Sequence, residues 1–140
     1  MARVRRKPKT KVARMRDAAD LLFRSLLRRR DGNRCRLCGE PASTVHHVFT
    51  VGCSTATRYD PENGLSVCVA CHCGCHSVRA AEYLARCQDT MGMEMFRRVR
   101  ERHRQLVHWR VADWQEVYDT LQAGKCIQVV DGERVAVEVT

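Results

Sequence analysis

Apolar residues recur at helical spacing in DAADLLFRSLLRRR, residues 17 to 30, where Leu21, Leu22, Leu26 and Leu27 form a stripe with Ala18 one turn earlier. Asp17 and Asp20 lie in its first turn and Arg28 to Arg30 in its last, the polarity that suits a helix dipole. Asp31-Gly32-Asn33 then stops the helix, and CRLCG makes a tight turn in which Gly39 is free to take a left-handed conformation. TVHHVF, residues 44 to 49, and LSVC, residues 65 to 68, read as two short strands. Between them lies a polar loop, GCSTATRYDPENG, with Pro61 and Asn63-Gly64 as turn signals. CHCGCHSVRAAEYLARC turns into a helix whose start is weakened by Gly74 and the cysteines. MEMFRRVRERHRQL, residues 93 to 106, reads as another, with Met95, Phe96, Val99 and Leu106 on its buried face. DWQEVYDTLQAG, residues 113 to 124, carries Trp114, Val117, Tyr118 and Leu121 at helical spacing, a core stripe rather than a binding box. CIQVVDGERVAVEVT alternates and turns at Asp131-Gly132, so it reads as a C-terminal hairpin.

Length and charge refine this picture. A chain of 140 residues fits one domain with extensions. Residues 1 to 36 hold 14 Lys or Arg against 3 Asp or Glu, whereas residues 37 to 140 hold 11 against 13. The positive charge therefore sits at the front, and residues 1 to 16 read as a basic flexible arm. Such an arm suits phosphate contact through counterion release; the competing reading is a solubilising or localising tail. No apolar signal region follows the N-terminus and no apolar run approaches a membrane span, so a soluble intracellular protein is the simplest expectation. There, the 9 cysteines point to metal rather than disulfides, and an odd count would leave one unpaired. Aromatic residues are few, and a small loop-rich core needs a staple such as a structural metal.

The spacings place that metal. Cys35-x-x-Cys38 and Cys68-x-x-Cys71 are two thiolate pairs, each able to aim two sulfurs at one point and together to complete a tetrahedral zinc site. The alternative is four unrelated buried cysteines. The insert between the pairs is longer than in a compact zinc ribbon, and it contains His46, His47 and Asn63. His72 and His76, four positions apart, share one helix face and make half of a divalent-metal site. His46 as third ligand would leave positions open for water and substrate, as in a catalytic rather than a structural site. The alternative is three ordinary surface histidines. His46 and His47 are adjacent, and on a strand they point to opposite faces.

Cys35 and Cys38, the pair His46-His47, Asn63 in DPENG, and Cys68-x-x-Cys71-His72 with His76 occur in the order of the HNH endonucleases, the ββα-metal nucleases. Over about residues 17 to 78 the chain resembles that family, and most of all its small phage and prophage members with four zinc cysteines. The resemblance implies that His46 is the first metal ligand, His47 the general base, and Asn63 the residue that orients the base and stiffens the loop. It implies that His72 is the last histidine of the motif and His76 the extra ligand of the His-x-x-x-His subtype. The implied chemistry is coherent. A metal neutralises charge on the phosphorane and leaving oxygen, a neutral imidazole takes a proton from water, and an amide can only position. Arg58 lies in the same loop and could hold a phosphate oxygen in its fork, unless it is a plain surface charge. Cys73 and Cys75 depart from the family, where bulkier residues are common; they could join another zinc arrangement or trap zinc at the catalytic site. Cys53, Cys87 and Cys126 read as small buried apolar residues without partners.

The expected class is α+β: a zinc-stapled ββα nuclease core at 17–78, a helical extension at 79–124 and a β-hairpin at 125–140. The expected function is a metal-dependent DNA endonuclease with a structural Zn²⁺ and a catalytic Mg²⁺, Mn²⁺, Ni²⁺ or Zn²⁺. Its partners would be DNA and no membrane. The resemblance to phage proteins suggests packaging, recombination or homing partners, in the cytoplasm of a bacterial host. Two rivals stay open: a non-catalytic zinc-stapled protein that binds DNA or a DNA junction, and a protein-interaction adaptor using the C-terminal elements.

Overall fold

A computed structural model describes residues 6–52 and 55–140; Cys53 and residues 1 to 5 of the basic segment lie outside the described residues. The element order is α1 (Lys11–Arg30), β1 (Thr44–His47), β2 (Gly64–Val67), α2 (Val69–Cys75), α3 (Ala80–Met91), α4 (Met93–His103), α5 (Asp113–Gln122), β3 (Cys126–Val130) and β4 (Glu133–Val137). The architecture is α+β, with β1 paired to β2 and β3 paired to β4, both antiparallel. No helix among the described residues is long and apolar enough to cross a membrane.

α1 begins at Lys11, well before the start that the leucine pattern predicts, so residues 11 to 16 are helical and not part of a flexible arm. Thr10 caps the helix, its hydroxyl accepting from the Ala13 N–H at 3.1 Å, which satisfies one orphan donor of the first turn. Val12 and Met15 then pack against the core and carry their basic neighbours with them. The buried face is Ala19, Phe23 and Leu27; Leu21 is 62% exposed and Leu22 and Leu26 are half-buried. The stripe is rotated because Phe23 anchors it, stacking flat on His47 and meeting Tyr59 edge-on.

The helix expected over residues 71 to 87 is two helices. Ser77 breaks it: its hydroxyl donates to the Gly74 carbonyl at 2.8 Å and accepts from the Arg79 N–H at 3.0 Å, offering the backbone local partners in place of helical ones. α3 then folds back on α2 across Gly74, where a β-carbon would lie 2.2 Å from the Tyr83 ring. α4 ends at His103, so Leu106, expected on its buried face, is 90% exposed. The C-terminal hairpin turns at Asp131 (φ 51°) and Gly132 (φ 79°), the paired positive dihedrals of a tight two-residue turn.

Strand alternation divides the core in two. Val45 and His47 of β1 face α1, in a cluster with Ala19, Phe23, Leu27, Tyr59, Trp114, Leu121 and Ile127. Val48 belongs to a second cluster with Leu65, Val67, Cys35, Cys71, Cys87, Phe96 and Val99. Gly64 pairs with His47 across the sheet; a β-carbon there would lie 2.3 Å from Leu27 Cδ1, so its absence sets how closely α1 approaches. Asp60, fully buried, ties the later elements to the loop between the strands. It accepts from Arg102 Nε of α4 at 2.6 Å and from Gln128 Nε2 of β3 at 3.3 Å.

Candidate metal centre and histidine site

Cys35 and Cys38 come from the turn after α1, Cys68 caps α2, and Cys71 lies in its first turn. Their four sulfurs lie within 4.8 Å of one another, a cluster consistent with a zinc site. A tetrahedral zinc with bonds of about 2.3 Å holds sulfurs about 3.8 Å apart; Cys38 Sγ and Cys68 Sγ are 3.7 Å apart. The donor chemistry also fits. Burial opposes ionisation of Cys35, but backbone N–H groups of Cys68, Leu37 and Cys38 outweigh it and bring the thiol down to about 7. Burial and the neighbouring thiols push Cys71 up, so four uncompensated thiolates cannot coexist here. A cation is what relieves that crowding.

On the β1 face away from α1, the ligand atoms of His46, His72 and His76 also lie within 4.8 Å of one another. His72 Nε2 and His76 Nε2 are 3.3 Å apart, close to the roughly 3.4 Å that two nitrogens adopt on a tetrahedral zinc with bonds of about 2.0–2.1 Å. His46 is 7% exposed. Burial, reinforced by the His76 and His72 rings, pushes its imidazole down to about 4, and burial with His76 also lowers His72. His46 is therefore neutral at physiological pH, the form that ligates a metal. Three nitrogens would fill part of a coordination shell and leave the rest for water or substrate oxygens.

His47 is placed differently. Its Nε2 lies 2.8 Å from the Arg58 carbonyl and its ring stacks on Phe23 at 5.5 Å between centroids. A carbonyl can only accept, so Nε2 carries the proton and Nδ1 is the lone-pair nitrogen of the neutral ring. Burial lowers the His47 pKa, opposed by the bond to Arg58. Asn63 is fully buried and its side chain bonds the loop rather than the His47 ring. Its Oδ1 accepts from the Phe49 N–H at 2.8 Å, while Nδ2 donates to the Phe49 carbonyl at 3.0 Å and the Thr57 carbonyl at 3.1 Å. Thr57 immediately precedes Arg58, so Asn63 fixes the peptide next to the one whose carbonyl holds His47. The Arg58 fork is already engaged: Nε and Nη2 meet Asp20 of α1 at 3.1 and 2.8 Å, and the Tyr59 hydroxyl donates to the same carboxylate at 2.8 Å. A phosphate at Arg58 would have to compete with Asp20.

No protein-family model, no curated protein and no solved structure matches this chain. The resemblance to HNH nucleases thus rests on the motif residues themselves.

Three contributors escaped the sequence reading. Asp20 looked like a helix-dipole residue, yet it holds Arg58. His103 of α4 takes part in the loop, with Nδ1 2.8 Å from Thr57 Oγ1, the hydroxyl that also accepts from Asn63 Nδ2 at 3.2 Å. Cys87 is buried as expected, but it has neighbours: its sulfur, that of Cys75 and a His46 nitrogen lie within 4.8 Å of one another. Cys126 is buried and belongs to no such group among the described residues, and Cys73 is exposed. A cysteine at Cys75, at the end of a metal-spaced helix, was the one available signal.

Proposed function

We propose that the chain is a metal-dependent endonuclease of the HNH type that hydrolyses DNA phosphodiesters. The observation that carries this reading is the division of two adjacent histidines between the faces of β1. His46 joins two imidazoles whose nitrogens stand at metal-ligand spacing, while His47 is held by Nε2 with Nδ1 left as a base. His46, His72 and His76 would hold a divalent ion, which would supply neutralisation of charge at the phosphate and the leaving oxygen. His47 Nδ1 accepts the proton of the attacking water. The Arg58 carbonyl keeps the ring in the required tautomer, and Asn63 keeps that carbonyl in place through the Thr57 peptide. Substrate charge is met along α1, where Arg24, Arg28 and Arg29 line a groove of about 730 Å³ beside Thr44.

The test is plasmid cleavage against Mg²⁺, Mn²⁺, Ni²⁺ or Zn²⁺ concentration, with calorimetry for metal affinity. His47→Ala should lower the rate roughly 10²- to 10⁴-fold with metal binding intact. His46→Ala should weaken metal binding and regain part of its activity at high metal. Wild-type rates in His47→Ala would overturn the assignment.

The arginine groove favours a second reading, since it would bind phosphates with or without catalysis. A wild-type protein that binds DNA with a steep salt dependence, yet cleaves with none of the four metals, would make it a zinc-stapled DNA-binding protein.

A further inference from the structure

The α2–α3 fold-back brings together groups that neither the zinc cluster nor the three imidazoles require. Cys75 ends α2, Cys87 lies on α3, and their two sulfurs lie within 4.8 Å of each other. Both sulfurs lie within 4.8 Å of a His46 nitrogen, and Cys87 is 1% exposed. Two thiols and an imidazole at this spacing are a soft donor set, suited to zinc-like thiophilic ions and unsuited to Mg²⁺. His46 is common to this group and to the three imidazoles. A neutral imidazole has one lone-pair nitrogen, so it serves one metal at a time unless it also gives up its N–H proton.

We infer that Cys75, Cys87 and His46 form a second, thiophilic metal site that competes with the three-imidazole site for His46. An ion on the sulfurs withdraws His46 from His72 and His76; an ion on the imidazoles empties the sulfur site. The identity of the available metal then sets which site is formed. The competition rests on the three-imidazole reading above, whereas the sulfur site does not.

Co²⁺ separates the two sites, because only thiolate ligands give an intense sulfur-to-cobalt charge-transfer band. Reduced protein carrying one zinc in its four-cysteine cluster is titrated with Co²⁺ alone. Wild type should bind one further Co²⁺, with the charge-transfer band present. Cys75→Ala and Cys87→Ala should each lose most of the band; Cys75 is only half-buried, so its variant guards against a folding defect at Cys87. His72→Ala and His76→Ala should keep the band or strengthen it, since the competing ligands are gone. No band in wild type, or a band that survives in both cysteine variants, overturns the sulfur site. A band lost in His72→Ala means one composite site and overturns the division. Two bound Co²⁺ in wild type overturn the sharing of His46. If the cysteine variants bind no further Co²⁺ while wild type shows the band, the three-imidazole reading fails and the sulfur site stands.

Discussion

On one face of β1, His47 has its Nε2 on the Arg58 carbonyl at 2.8 Å and its ring flat against Phe23. On the other face, one residue away, His46 meets the rings of His72 and His76 at 5.7 and 5.2 Å between centroids. The first face is assembled by protein groups that complement each other: a donor on a carbonyl, an aromatic stack, a buried amide with its oxygen and nitrogen both satisfied. The second is a convergence of imidazole nitrogens and thiols within 4.8 Å of His46, a donor set able to hold a cation. Neighbouring residues of one strand thus owe their positions to different physics, and perturbations should separate them.

The largest effect should come from the four-cysteine cluster, whose Cys35 and Cys71 sit in the core on the Val48 side. Cys38→Ser, or a strong chelator, should remove the zinc and unfold the domain, because metal binding and folding are one equilibrium in small zinc domains. Metal analysis with circular dichroism would read it; a folded mutant with full zinc would exclude the four-cysteine assignment. Asn63→Ala should come next. It leaves the Phe49 N–H and carbonyl without their side-chain partner and takes from the Thr57 carbonyl one of its donors, the Asp60 N–H remaining, at roughly 2–4 kcal/mol by urea denaturation. It should disturb the His47 face and leave the three imidazoles able to bind Ni²⁺ by calorimetry.

Gly64→Ala should cost about 1–3 kcal/mol, the usual toll of overpacking, because the new methyl meets buried Leu27. It pushes α1 from the sheet and loosens Phe23 from His47, so cleavage should fall while zinc content stays unchanged. The smallest effect is a pH dependence away from both faces. Burial alone would raise the Asp31 carboxyl, but Arg30 and the Ser66 N–H hold it below its usual 3.8. Since the folded value lies below the unfolded one, this stability is present above the unfolded pKa and is lost as pH falls through the folded pKa. Asp31→Asn should lose about 1–2 kcal/mol at pH 7 and show a shallower loss below about pH 4, measured as urea midpoints against pH.

Much of the site follows from local pattern. The two Cys-x-x-Cys turns and the four-residue spacing of His72 and His76 are short-range geometry, so residue type and spacing suffice to bring those side chains together. The period of two in a strand likewise separates His46 from His47 whatever surrounds them. The C-terminal hairpin was readable for the same reason: Asp131-Gly132 is a local turn between alternating segments.

What local pattern does not contain is which distant group answers each side chain. Asp20 and Arg58 are 38 positions apart, and only the docking of α1 on the sheet gives the fork to a carboxylate. Thr57 and His103 are 46 apart and meet because α4 lies across the loop. The α1 stripe turned toward Phe23, and the helix grew back to Lys11, because packing at the sheet outweighs the count of leucines. Cys87 looked solitary until the Ser77 break and the bare face of Gly74 folded α3 onto α2 beside His46. The sequence by itself determined the two Cys-x-x-Cys pairs, the spacing of His72 and His76 and the faces of β1, since backbone periodicity acts over a few residues. Tertiary structure decided the partners, because burial and hydrogen bonding are settled between surfaces that the chain brings together only once it is folded.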